Sequence, residues 1–183
     1  ILKEGRRLGR MVSSMLDLSR IERGTFELHR TRFSAVDLVH ETVDTAHVPR
    51  EKTIEFDFRH KGALIVNADR DRVTQVLLNI VDNALRYTPE GGTVIVSLEA
   101  NEREIVIGVH DRGPGIAPEE LERVFEPFYQ SSRTEVRRAS GAGLGLSLAK
   151  QIVEVHGGRI WAESEVGNGT RVYFAVPREG GTE

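Results

Sequence analysis

Asn79, Asn83 and Arg86 stand four and then three residues apart, a spacing that puts two amides and a guanidinium on one stripe if the stretch is helical. The apolar residues Val73, Val76, Leu77, Ile80 and Ala84 recur beside them at helical spacing and would face a core. A half-buried polar stripe is costly unless something polar meets it. The Asn83 carbonyl oxygen suits Mg²⁺, and the Arg86 guanidinium suits a phosphate. The same residues would also serve as a solvated stripe on an amphipathic helix.

Two further segments carry chemistry. Asp111-Arg-Gly-Pro-Gly-Ile116 follows the strand-like alternation of Glu104 to His110. Gly113 and Gly115 let the backbone approach a flat ligand. An ionised Asp111 only accepts hydrogen bonds. It would favour the exocyclic amino group of adenine over the carbonyl oxygen that guanine presents there. A tight turn would need the same residues. Gly141-Ala-Gly143-Leu-Gly145-Leu146 opens into the apolar-periodic Gln151 to His156, a loop-to-helix junction whose free N–H groups can bind an anion. It is neither a dinucleotide fingerprint nor a P-loop, and a plain loop capping a helix remains open.

In this order the segments resemble the ATP-binding domain of bacterial sensor histidine kinases. Asn79 to Thr88 resembles the N box, Asp111 to Ile116 the first glycine box, Phe125 to Phe128 the F box, and Gly141 to Leu146 the second glycine box. Gly167 to Thr170, before Val172 to Pro177, is similar to the closing strand motif. The resemblance implies ATP and Mg²⁺ as ligands. It implies that Asn83 holds Mg²⁺ with Asn79 in support, that Arg86 stands where the family usually has lysine, and that Tyr87 lines the pocket. Asp111 would read adenine, through a water shared with Thr170, while Gly113, Gly115 and Ile116 shape that side. Gly141, Gly143 and Gly145, with Leu144 and Leu146, would cradle phosphate. Phe125 and Phe128 are expected to anchor a lid over Gln130 to Gly143. Arg133, Arg137 and Arg138 read first as solvated lid charge, with γ-phosphate contact the alternative.

Arg7 to Glu22 is similar to the end of the second helix of the dimerisation and histidine-phosphotransfer hairpin. Leu8, Met11, Met15 and Leu18, flanked by Val12, Leu16 and Ile21, form a seam for other helices. The first hairpin helix, with its phosphoacceptor histidine, is expected before residue 1, so the chain reads as a piece of a longer protein. None of the six histidines has the phosphoacceptor setting. His40 is expected on an ordinary helix, His110 on the strand face opposite Asp111, and His156 at a helix end where an imidazole favourably meets the dipole. The implied partners are the protein's own hairpin, a response regulator receiver domain, and a second copy in a homodimer. The implied setting is cytoplasmic, with membrane attachment through upstream segments. In the hydrolysing relatives a glutamate activates water at the position of Asn79, and an amide cannot act as that base. Asp82 is expected to tilt away from the ligand stripe. An ATP hydrolase and a degenerate nucleotide-binding module are the alternatives to a kinase.

The elements that must position these residues follow from periodicity. Helices are expected over 1–23, from Ser34 to about His47, from Asp69 to Tyr87, and from Gly145 to His156, with a short one opened by Pro118. Strands are expected over Phe26–Phe33, Thr53–Phe58, Ala63–Val66, Thr93–Leu98, Glu104–Val109, Arg159–Ala162 and Arg171–Val176. Together they predict an α+β protein, a two-layer α/β sandwich with a mixed sheet and helices on one face, preceded by one helix. The resemblance makes this the Bergerat ATP-binding fold. Residues 1–23 would be hairpin, 26–178 the ATP-binding domain and 179–183 a tail. The 183 residues can bury one real core. A net charge of −3 gives no sign of nucleic-acid binding. Zero cysteines exclude disulfides and thiolate metal sites.

Overall fold

The computed structural model describes residues 2–59, 64–131 and 142–178. In chain order the elements are α1 (Leu2–Glu22), β1 (Arg30–Ser34), α2 (Ala35–Thr45), β2 (Thr53–Phe58), β3 (Ile65–Asp69), α3 (Arg70–Tyr87), β4 (Thr93–Ala100) and β5 (Glu104–Asp111). Two 3-10 turns, Pro118–Glu120 and Arg123–Phe125, precede α4 (Gly145–Val155), β6 (Arg159–Ser164) and β7 (Thr170–Pro177).

Alternation along the strands sorts the main sheet into two faces. Its order is β2-β4-β5-β7-β6; β2 runs parallel to β4 and the other neighbours are antiparallel. Val96, Val109 and Val172 form one row across the register, and Leu98, Ile107 and Phe174 the next. All six are buried. Leu38 and Val39 of α2, Leu77, Ile80 and Val81 of α3, and Leu148, Ile152 and Val153 of α4 cover that face in one core cluster. The sandwich is therefore the one expected, with helices on one side of a mixed sheet. On the other side Trp161 and Tyr173 stack with ring centroids 5.2 Å apart.

The starts of α2 and α3 are capped as their sequences suggest. The Ser34 hydroxyl accepts from the Asp37 N–H at 3.2 Å, and the Asp69 carboxylate accepts from the Arg72 N–H at 3.2 Å. At the other end of α3, Lys52 Nζ donates to the Leu85 carbonyl at 2.6 Å.

Several elements differ from expectation. The strand over Phe26–Phe33 shrinks to β1, which pairs only with β3. Its first pair is Arg30 with Asp69, and α3 begins at Arg70, so residues 26–29 have no strand left to pair with. The strand expected at Ala63–Val66 lies at Ile65–Asp69 instead; Ala63 is outside the described residues. The helix expected after Pro118 is two separate 3-10 turns.

His156 stands at the helix end as expected, but as a buried neutral ring. It is 2% exposed, its Nε2 accepts from the Asp69 N–H at 3.1 Å, and its Nδ1 lies 2.7 Å from the Ile152 carbonyl. A backbone N–H must meet a lone pair and a carbonyl must meet a proton, so the ring is neutral with the proton on Nδ1. Burial holds its pKa below the ordinary 6.5, offset in part by the bond to Ile152. It joins elements as a neutral ring and does not serve the dipole as a cation.

The α1 seam divides. Met11, Ser14, Leu18 and Ile21 turn towards the domain, while Leu8, Val12, Met15 and Leu16 are exposed. Asp17, 5% exposed, pairs with Arg72 of α3 at 2.9 Å.

Candidate nucleotide site

A cavity of about 590 Å³ opens between α3, the end of β5 and the start of α4, within the range of small-molecule sites. Because α3 packs its apolar stripe on the sheet, its polar stripe forms one wall. Asn79, Asn83, Arg86 and Tyr87 all line the cavity. Asp82 lines it too, contrary to the expectation that it tilts away. Residues at i, i+3, i+4 and i+7 share one helix face, and positions 79, 82, 83 and 86 are that set.

The amides differ in engagement. Asn79 Nδ2 donates to the Gly145 carbonyl at 3.1 Å, so Asn79 holds the first residue of α4 and keeps its oxygen free for a donor. Asn83 lines the cavity and makes no side-chain hydrogen bond among the described residues. Arg86 is exposed at the rim. Tyr87 is half-buried, and burial raises its hydroxyl above the ordinary 10.0.

Opposite stands Asp111 at the end of β5, 6% exposed. Its Oδ1 accepts from the Gly113 N–H at 2.7 Å, and the Thr170 N–H also donates to it. Burial outweighs both donors and pushes the carboxyl up to about 6. Thr170, paired with Asp111 across β5 and β7, lines the cavity with Pro114, Gly115 and Ile116. Gly115 has φ +72°, and a Cβ there would come within 2.1 Å of the Glu165 carbonyl oxygen. The space it leaves is thus filled by the loop before β7, not by a ligand. Gly113 is likewise packed against the Tyr87 carbonyl and the Asp111 carboxylate.

The third wall is Ala142 to Leu146. Gly143, Leu144, Gly145 and Leu146 line the cavity as expected; Gly141 and the three lid arginines lie outside the described residues. Gly143 has φ +71°, and a Cβ there would meet the Phe128 carbonyl carbon at 2.8 Å. The Phe128 N–H donates to the Gly143 carbonyl at 2.9 Å, so residues 128 and 143 are stitched together. Phe128 itself has φ +63°, a conformation that costs energy for a bulky residue. Phe125 is buried in the core; most of the lid it was expected to anchor lies outside the described residues. Phe128, 53% exposed, is tied to Gly143 through its backbone.

Six residues here escape the sequence motifs. The buried Glu120 carboxylate accepts from the Tyr129 hydroxyl at 2.6 Å and the Ser131 hydroxyl at 3.1 Å, and all three line the cavity. Ser164 Oγ accepts from the Ile116 N–H at 2.8 Å and donates to the Gly169 carbonyl at 2.6 Å, fixing the turn after Asp111. Aligning β6 with β7 would have found Ser164, since it pairs with Thr170. Met11 and Ser14 of α1 also reach the cavity.

A family model described as "Histidine kinase-, DNA gyrase B-, and HSP90-like ATPase" matches residues 68–180. The chain belongs to that family. Within this ATPase family it is 38% identical over 177 residues to the sensor histidine kinase WalK of Bacillus subtilis (strain 168), covering 95% of this chain and 29% of that protein. The chain thus spans about three tenths of that curated relative's length. Full-length ShkA in complex with AMPPNP superposes with a TM-score of 0.82 at 28% identity, over 96% of this chain and 37% of that one. Histidine kinase ThkA in complex with response regulator protein TrrA gives 0.75 at 28%, over 98% and 50%. The domain is an ATP-binding α/β sandwich of the histidine-kinase type. Among the described residues no helix is long and apolar enough to cross a membrane.

Proposed function

We propose that this chain is the catalytic ATP-binding part of a sensor histidine kinase, which offers the ATP γ-phosphate to a histidine on its hairpin for relay to a response regulator. The observation that carries the reading is the polar wall of α3, where Asn79 and Asn83 face a cavity whose far side holds the buried Asp111. Asp111 would accept the adenine amino group, with Thr170 beside it, and Ile116 would pack on the base. Ala142 to Leu146 would bring backbone N–H groups and the α4 N-terminus to the phosphates. Arg86 would meet phosphate at the rim.

Transfer forms an N–P bond to the imidazole as the bond from γ-phosphorus to the β–γ bridging oxygen breaks, leaving ADP. Positioning and charge neutralisation then supply most of the catalysis. Among the described residues no group of three His, Asp or Glu could hold a metal, so Mg²⁺ would rest on the Asn83 oxygen, waters and phosphates, neutralising phosphate charge. Asn83→Ala should abolish the gain in nucleotide affinity that Mg²⁺ gives over EDTA, with little change in melting temperature. Calorimetry checks this, and an undiminished Mg²⁺ effect would place the ligand elsewhere.

The partners in this reading are the protein's own hairpin, a second copy, and a receiver domain. Support comes from the two-faced α1 and from the complex in which ThkA is found. The setting would be cytoplasmic, with the intact protein held at the membrane by other segments. A hydrolase reading gains one observation, Asp82 on the cavity wall. Labelled ATP separates them. The chain alone should take up no label, and adding the matching hairpin with its histidine should give acid-labile, base-stable label on the hairpin. Rapid ATP hydrolysis lost in Asp82→Asn, with no transfer to the hairpin, would establish the hydrolase instead.

A further inference from the structure

We propose that the inner face of α1 is a working wall of the nucleotide cavity, latched by Asp17 and Arg72, so that nucleotide binding and α1 docking strengthen each other. The inference rests on the ATP-binding reading above.

Met11, Ser14, Asp17, Leu18 and Ile21 follow one another at helical steps and form the inner face of α1. Leu18 and Ile21 pack on the core, and α1 runs against α4. Further along, Met11 and Ser14 reach the cavity wall. One helix therefore touches both the domain's core and its ligand site.

Asp17 sets the register of that contact. It is the charged group of this face, and it is buried. Its Oδ2 accepts from Arg72 Nη1 at 2.9 Å. The same Nη1 also donates to Gln75 at 3.0 Å, and the guanidinium lies 4.7 Å from the centre of the Phe26 ring. Arg72 is thus held from its own helix, from α1, and from the segment joining α1 to β1. Apolar contacts alone would let α1 slide along α4. A buried ion pair forbids this, because any slip leaves a buried carboxylate without its partner. Arg72 also lies in the first turn of α3, the helix that carries Asn79, Asn83 and Arg86 on to the cavity.

A cavity wall shared by two bodies couples them. Ligand contacts made only when α1 is docked favour the docked state, and docking raises affinity by the same factor. Two measurements test this on the whole chain. With AMPPNP in the calorimeter, Asp17→Asn should weaken binding about tenfold. Met11→Ala should weaken binding in the wild-type background and have little effect in the Asp17→Asn background, because an undocked wall makes no contact. Independently of any variant, saturating AMPPNP should slow amide exchange across residues 8–22. Unchanged exchange in α1, faster exchange, or additive losses in the double variant would each overturn the proposal. Absence of AMPPNP binding to the wild-type chain would instead sink the ATP-binding reading itself, with Asp111→Asn as the weakened-binding control.

Discussion

Burial drives the Asp111 carboxyl up to about 6, although the Gly113 and Thr170 N–H groups donate to it. The adenine amino group needs the ionised acceptor, so binding should weaken as protonation sets in. For a group with that value, the linkage makes adenine-nucleotide affinity about tenfold lower at pH 5 than at pH 7. Asp111→Asn should lower affinity at both values and flatten the profile, which separates this titration from that of the nucleotide's own phosphates. Calorimetry with ADP across that range checks it, and a slope in the variant equal to that of the wild type would remove Asp111 from the adenine contact. Stability runs the other way. With a folded value above the ordinary 3.8, the native state binds more protons between the two values. The contribution of Asp111 to stability is therefore present at low pH and lost as pH rises through about 6. Burial thus favours the neutral form of Asp111, and in the proposed adenine contact a donor on the nucleotide would oppose this.

At the scale of elements, the start of the Gly143 loop is fixed by backbone against backbone. Gly143→Ala would force a Cβ to within 2.8 Å of the Phe128 carbonyl carbon at φ +71°. It should cost about 1–3 kcal/mol and weaken ATP binding, because Ala142 to Leu146 would leave their wall; thermal melts and titration of the same sample check both. An unchanged melting temperature with unchanged affinity would show that the stitch has no role. Gly143 was legible in the sequence as a loop glycine, but its partner was not, since nothing in the letters joins residue 128 to residue 143. The same limit runs through the fold. Helices with long apolar periods, such as α3, lie where periodicity put them, and the capping residues Ser34 and Asp69 mark their starts. The strand expected at Phe26 failed because pairing, not alternation, decides a strand, and β3 ends at Asp69. On α1, periodicity showed that Met11 and Met15 are apolar at helical spacing. It did not show that one faces the cavity and the other solvent, since both patterns share the same period. The site's polar stripe was legible because it lies within one helix. Glu120 with Tyr129, and Ser164 with Ile116, were not, because each joins separate elements.

Across the whole molecule, His156 is the point where separate parts meet. It closes the last turn of α4 through Ile152, accepts from the Asp69 N–H at the end of β3 and the cap of α3, and its own carbonyl takes a long 3.4 Å bond from Arg30 of β1. The bond from the Asp69 N–H requires a lone pair on Nε2 and so the neutral ring. Protonating Nε2 would set an N–H against the Asp69 N–H and leave a buried donor unmatched, a loss of about 1–3 kcal/mol. Because the folded value lies below the ordinary 6.5, the unfolded chain binds more protons below that pH. Stability should therefore fall as pH drops through 6.5 towards the folded value. Asp111 opposes this over part of the same range, so Asp111→Asn is the background in which the slope should be cleanest. In that background, melting temperature should decline between pH 7 and pH 5.5, about where the imidazole charges. His156→Leu should melt lower at pH 7, since the Asp69 N–H loses its acceptor, and should lose that decline. The secondary-structure signal of α4 and the tertiary signal of Trp161, which lies in the neighbouring β6, should go together, as expected if this joint holds α4 on the sheet. A decline of equal steepness in His156→Leu would show that acid sensitivity resides in the carboxylates and not in this joint.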